Sequence, residues 1–524
     1  MIRIREIALP PEHSVAQLAY EAARALKIQN SKVRSVKLVR RSVDARKKPD
    51  VKIVYTVDVA VEGNENKILK QSGCKRASIA PISYYKVPKN KTSAMSPVVV
   101  GFGPAGMFAA LVLALAGLKP IVLERGEDAQ SRHEKVEHFF ATGQLDTRSN
   151  VQFGEGGAGT FSDGKLNTGV NNPRIGWVLE QMVAAGAGED ILFDAKPHVG
   201  TDVLLNVVQN IRNRIISLGG QVRFNTQLTQ ILTENGCICG VQANGEETIA
   251  CDKLILAIGH SARDTFEYLH DFGIPMEAKP FAMGVRIEHL QENIDKAQYG
   301  KFDPVLPPAD YKLVKHLPDE TVYTFCMCPG GYVVAAASEE GRVVTNGMSY
   351  ADRAGRNANA ALLVTLNPKD FPGDGPLAGM YWQRAIEEAA FRAGGSNYHA
   401  PAQRVGDFLQ GRPSADPGTV QPTYRPGVTW CDLHDVLPAK ITGALKEALP
   451  QLEGNLQGYA DPDAVLTAPE TRSSSPVRIV RDESKQSTGV KGLYPAGEGA
   501  GYAGGIMSAA IDGMMCAEAL MESL

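Results

Sequence analysis

Apolar and polar positions alternate over Ile2–Leu9, as in a half-buried strand, and then recur at helical spacing over Val15–Ile28. Alternation returns in Val33–Val43 and Val51–Val61, on either side of the polar turn DARKKPD, which predicts a hairpin. From residue 97 the pattern changes to short, wholly apolar runs separated by helical stretches. Val98–Val100 is the first run, a helix-compatible stretch follows, and a second run ends in Glu124. A helix is expected near Asp202–Leu218, a strand over Gln221–Phe224, hairpins at Asn235-Gly236 and Asn244-Gly245, and a buried strand in Lys253–Ile258. Strands such as Val322–Met327 and Tyr332–Ala337 lie in a middle region of about 275–465 that is rich in proline loops. Leu493–Ala496, a glycine cluster and a helix over Gly505–Met521 close the chain. No internal repeat is evident.

The strand–turn–helix at 97–125 carries the first chemistry. Gly101-x-Gly103-x-x-Gly106 joins an apolar strand to a helix, the arrangement that binds a dinucleotide. Gly101 permits the tight turn, Gly103 admits a pyrophosphate close to the backbone, and Gly106 lets helix and strand touch. Ala110 and Gly117 extend the small-residue pattern. Pro104 and Ala105 open the helix, whose free N–H groups and positive dipole end suit phosphate. Glu124 lies 18 positions beyond Gly106, where a carboxylate can accept from ribose hydroxyls, and Arg125 follows it. The same glycine spacing recurs at Gly154, Gly156 and Gly159 and at Gly499, Gly501 and Gly504. Neither copy has a strand before it and an acid-tipped strand after it.

Composition places limits on the rest. The 524 residues allow two or three domains, and 44% hydrophobic with 22% charged content is that of a globular protein. The longest apolar stretch, Ala105–Leu118, is too short to span a bilayer, and the N-terminus lacks the apolar core of a secretory signal. Eight cysteines do not make a disulfide framework, so a cytoplasmic location is expected. No metal-ligand pattern stands out. Charge is unevenly spread: residues 1–92 hold 20 basic and 8 acidic residues, while the remainder holds 35 and 50. Such a split argues for separate folding units. The β-α-β-β order of the basic part predicts a small ferredoxin-like α/β domain over 1–92, with 88–96 as linker. The remainder predicts a Rossmann-like domain in two parts, 97–275 and 466–524, interrupted by an α+β substrate or cap domain over 276–465.

Two further blocks, CDKLILAIGH (251–260) and TGVKGLYPAGEGAGYAGG (488–505), stand in order with the first. Together the three resemble the FAD-binding domain of glutathione-reductase-like and fumarate-reductase-like flavoproteins. The resemblance implies that Ala257 and Gly259 pass near the adenosine end, and that Gly497 and Glu498 approach a ribityl or phosphate-proximal hydroxyl. It also implies that Gly504, Gly505 and Ile506 aim a helix N-terminus at the flavin. The family's usual acid at position 498 is Asp, and Glu is longer. FGEGGAGTFSDGKLNTG (153–169), KPFAMGVRIEH (279–289), FCMCPGGYVV (325–334) and TRSSSPVRIVRD (471–482) narrow the likeness. With them the chain resembles a family of bacterial FAD-dependent dehydrogenases with a basic N-terminal domain. Gly157, Ala158, Gly159, Thr160 and Lys165 sit where related flavoproteins wrap a loop around the cofactor. The resemblance implies FAD and names no substrate.

The expected activity is therefore an FAD-dependent oxidoreductase passing a hydride or electron pair through flavin N5. Its substrate would be a small molecule, anionic if arginines receive it, and NADH or NADPH is a candidate donor. Cys326, Cys328 and Arg472 are the catalytic candidates. In an unbent strand the two cysteines point the same way with Cα atoms roughly 6.6–6.8 Å apart, the far limit for a disulfide. Two buried structural thiols are the competing reading. Arg478 and Arg481 flank the same block, and Arg286, His289 and His260 are weaker acid/base candidates. Arg40, Arg41, Arg46, Lys47 and Lys48 form the densest basic cluster. It suits RNA, an acidic partner, an anionic membrane surface or docking on the acidic remainder of the chain, and no nucleic-acid motif accompanies it. An RNA-modifying flavoprotein and a non-enzymatic flavin-dependent sensor or scaffold are the alternatives. The sequence does not indicate an oligomeric state.

Overall fold

Alternation in the first 92 residues yields a four-stranded antiparallel sheet in the order Val33–Asp44, Lys52–Val61, Ile2–Leu9, Ala77–Ile79. The computed structural model describes residues 1–524 apart from 82, 83, 90, 170, 302 and 303 and the side chain at 15. Residue 90, within the expected linker, therefore lies outside the described residues. Ile2, Ile4, Val57 and Val59 meet Leu18, Ala22 and Leu26 of helix Val15–Leu26, which fall on one face by their spacing. A second helix, Glu65–Ser72, starts where the Asn64 side chain accepts from the Lys67 amide. This helix and the strand Ala77–Ile79 extend the expected β-α-β-β order; a three-residue strand is too short to show a period.

Several contacts fasten this unit to the rest of the chain. Arg41 grips Asp194 with two hydrogen bonds of 2.6 and 2.8 Å, and its backbone pairs with Phe193 and Ala195. Lys48 Nζ donates to the Ala297 carbonyl at 2.6 Å. One hydrophobic cluster runs from the N-terminal sheet into the large sheet described below. The expected linker is held too: the Lys91 amide and ammonium donate to the carbonyls of Ala116 and Met521.

Five short strands form a parallel sheet in the order Leu493–Pro495, Leu254–Leu256, Val98–Val100, Ile121–Leu123, Gln221–Arg223. One edge strand comes from near the C-terminus, so the chain leaves this sheet and returns to it. Helix Pro104–Leu115 is apolar all round and almost wholly buried, as a helix packed on every side must be. Helix Ile506–Glu522 lies against it so closely that a Cβ on Gly513 would sit 2.0 Å from the Ala105 carbonyl oxygen. A three-stranded antiparallel sheet spans Leu228–Ala250. Its turns, Asn235-Gly236 and Asn244-Gly245, have positive φ at both residues, as a two-residue hairpin of this hand requires.

Between residues 281 and 470 lies a seven-stranded sheet in the order Val314–His316, Thr321–Cys328, Asn357–Leu366, Phe281–Leu290, Val465–Glu470, Ala400–Arg404, Val428–Trp430. It is antiparallel except for its last pair. Met283, Val285 and Ile287 point into its apolar core. The opposite face of the same strand carries Arg286 and Glu288, both fully buried. This buried polar face looks toward the site.

Candidate active site

The glycine turn has the local geometry its sequence demands. Gly101 has φ +93°, and a Cβ there would lie 2.3 Å from the Ala257 carbonyl oxygen. At Gly106 a Cβ would lie 1.9 Å from the Gly101 oxygen. Gly103 is different: its nearest neighbour would be the Gly157 Cα at 3.7 Å, so the missing side chain leaves an open groove at the helix start. Glu124 is buried and accepts from the amides of Phe102 (2.8 Å), Gly126 (2.9 Å) and Gly154 (3.0 Å). Its carboxylate thus binds the glycine turn to the following glycine loop while still lining the cavity.

That loop is built around a residue sequence reasoning did not single out. Arg132, 1% exposed, donates to the carbonyls of Asn150, Val151, Glu155 and Gly157 and to the Thr160 hydroxyl. Burial lowers its pKa to about 10, leaving it charged at neutral pH. Its position on the polar helix Ala129–Thr142 carried no sequence signal, because its acceptors are backbone carbonyls. Glu155, wholly buried, accepts from the Ala129 amide and from Arg212. Arg125 stacks on Phe153 at 4.4 Å and grips Asp264.

These elements enclose a cavity of about 740 Å³, within the usual size of a cofactor or ligand site. Of the expected cofactor residues, all line it except Gly106, Thr160 and Gly497, whose chain neighbours Ala105, Gly159 and Ala496 do. Gly497 is held there as its amide donates to Asp512, itself paired with Arg481. The N-termini of helices Pro104–Leu115 and Ile506–Glu522 both open onto the cavity. Each presents unpaired N–H groups and a positive dipole end. Glu498 lines the wall as well. Burial pushes its carboxyl to about 8, against the pull of Lys279, so it is protonated at neutral pH and can donate a hydrogen bond.

Lys165 lines the same cavity, but its ammonium donates to the Met327 carbonyl and lies 3.8 Å from buried Asp163. It thereby ties the glycine loop to the Cys326–Cys328 segment. That segment departs from the unbent strand expected of it. The register slips between Phe325 and Cys328, and Cys326 has φ +43°. The bulge swings Cys326 to the cavity wall while Cys328 stays buried. Arg286 Nη2 donates to the Cys326 carbonyl at 2.9 Å and lies 3.6 Å from Cys328 Sγ. Cys328 Sγ donates to the Cys326 carbonyl at 3.3 Å; the neighbouring Cys328 thiol, with Arg286 and Lys165, lowers the pKa of Cys326, whereas burial raises that of Cys328.

Glu470, directly before the TRSSSPVRIVRD segment, carries no sequence signal of its own. It lines the cavity, pairs with Arg286 at 3.5 Å and keeps Oε2 without a partner. Burial pushes it to about 7. Arg472 lines the wall with its donors committed: Glu387 takes two, and Ser338 and Ser261 take others. Its guanidinium is thereby held against the wall by Glu387 and the two serines. Arg478 and Arg481 lie on the Tyr502 ring, outside the cavity wall. His260 reaches the wall, where burial lowers its pKa to about 3 and keeps it neutral; His289 turns to the Tyr459 carbonyl. Among the described residues no cluster of metal-ligating side chains occurs, and no helix is long and apolar enough to cross a membrane.

A family model described as "FAD-dependent protein, C-terminal domain-like" matches residues 280–473, and a domain of unknown function matches residues 1–60. The fold is α/β, and its segment 280–473 is similar to that FAD-dependent family. An uncharacterized protein of Clostridium beijerinckii is 48% identical over 527 residues, covering 99% of this chain and 98% of its own. The chain belongs to one family with it. Among solved structures, glycine oxidase from Bacillus cereus is 12% identical, covers 82% of this chain and 96% of its own, and has a TM-score of 0.34. Glycerol-3-phosphate dehydrogenase from Bacillus halodurans in complex with FAD is 10% identical, covers 83% and 65%, and has a TM-score of 0.36. Likenesses this low define no shared mechanism.

Proposed function

We propose that the protein is an FAD-dependent oxidoreductase acting on a small-molecule substrate held in the cavity beside Cys326 and Glu470. The carrying observation is convergence. Two helix N-termini, the open groove at Gly103, the Glu124-bound glycine loop and the protonated Glu498 all border one cavity. Their donor set fits a dinucleotide: amides and helix ends for the pyrophosphate, carboxyl groups for hydroxyls. FAD bound there would supply transfer of a hydride or electron pair. The chain's own part is to bind and orient. Arg132 holds the loop, Arg472 holds the wall through Glu387, and Glu470 can hold or release a proton near neutral pH.

In this reading residues 97–275 and 466–524 form a Rossmann-like FAD domain, 276–465 a substrate domain, and 1–92 a ferredoxin-like domain, the last supported by its strand order. Eight free cysteines suit a reducing, cytoplasmic setting. Docking uses Arg41 and Lys48, which weakens the case for the basic cluster as an RNA surface. The test is spectroscopic: purified protein should show bound FAD or take it up, and NADH or NADPH should bleach it anaerobically. Oxidants that restore the colour would then point to the substrate. Protein with no flavin spectrum and no affinity for added FAD overturns the proposal.

A further inference from the structure

Resting on the flavoprotein reading above, we propose that Cys326 and Cys328 are a redox pair that cycles between dithiol and disulfide by exchanging an electron pair with FAD in the adjoining cavity. Placement comes first. The bulge puts Cys326 on the cavity wall and leaves Cys328 buried two positions on, its Sγ donating to the Cys326 carbonyl at 3.3 Å. Among the described residues, Cys326 is the only cysteine that lines the cavity.

The backbone supplies a second argument. A bulge re-aims a side chain at the expense of ladder pairing, and a non-glycine residue at φ +43° holds only where its surroundings over-determine it. Two cations do so here. Arg286 grips the Cys326 carbonyl and Lys165 grips that of Met327, bracketing the pair with positive charge. The same charges favour the thiolate, which is the nucleophile in disulfide chemistry. Gly347 makes room for this: a Cβ there would lie 2.0 Å from Arg286 Nη2. Two buried structural thiols would need neither the bend nor the cations.

In the proposed step the Cys326 thiolate and the Cys328 thiol are oxidised. The S–S bond forms and the Cys328 S–H bond breaks. The electron pair and that proton pass to the oxidised flavin, so charge balances. The reverse step opens the disulfide at the expense of reduced flavin.

Anaerobic reductive titration of the FAD-loaded protein tests this. Wild type should take up two electrons beyond the flavin's own two, so that uptake doubles relative to Cys326→Ser and Cys328→Ser. Differential alkylation and peptide mass should show residues 326 and 328 joined, two hydrogens lighter, before titration and free after it. FAD content of both variants checks that they fold. Equal uptake in wild type and variants, with both thiols separately alkylated throughout, overturns the pair and leaves the flavoprotein reading standing. A chain that binds no FAD overturns both.

Discussion

The Arg132 guanidinium donates to the Gly157 carbonyl at 2.9 Å from within the protein, where it is 1% exposed. A buried charge here satisfies carbonyls of the glycine loop that would otherwise be orphaned. Arg132→Lys keeps the charge but loses the planar fork. It should cost about 3–5 kcal/mol in denaturant melts and release FAD on gel filtration. Wild-type stability and FAD retention would show that the loop stands without it.

Glu124→Gln tests the three-amide clamp. A carboxamide turns a donor toward either Phe102 or the pair Gly126 and Gly154. The expected loss is about 2 kcal/mol, or roughly a 30-fold weaker FAD affinity by fluorescence titration. An unchanged dissociation constant would remove Glu124 from the cofactor site.

Glycine positions should divide by available space. Gly106→Ala places a methyl 1.9 Å from the Gly101 oxygen and should abolish FAD binding or folding. Gly176→Ala, in helix Arg174–Ala184 with nothing within 4 Å, should stabilise by about 0.5–1 kcal/mol. Similar melting behaviour of the two variants would refute the close helix–strand approach.

Glu498 predicts a pH dependence. Its folded pKa of about 8 exceeds the ordinary 4.5, so the folded state keeps a proton that the unfolded chain has released. Stability of the FAD-free protein should therefore be fully present below about pH 4.5 and fall by on the order of 2 kcal/mol as the pH rises to about 8, allowing for partial exposure. Urea melts across this range should show a flatter profile for Glu498→Gln. Parallel profiles would mean that burial does not raise this carboxyl.

Residues that act on their immediate neighbours were legible in the chain. The Gly101–Gly106 turn, the Asn-Gly hairpins, the alternating strands of the N-terminal unit and the helix after Gly505 all follow from dihedral freedom and hydrophobic period. These act over a few residues and leave a pattern in them. Arg132, Glu470 and the bend at Cys326 left no such mark. Arg132 is defined by carbonyls 18 to 25 positions away, Glu470 by burial beside Arg286, and Cys326 by slipped register against strand Asn357–Leu366. Burial, register and the charge state of a carboxyl or thiol are set by segments far apart in sequence. Local pattern therefore announced the dinucleotide turn, while long-range packing decided which charges are buried around it and which thiol meets the cavity.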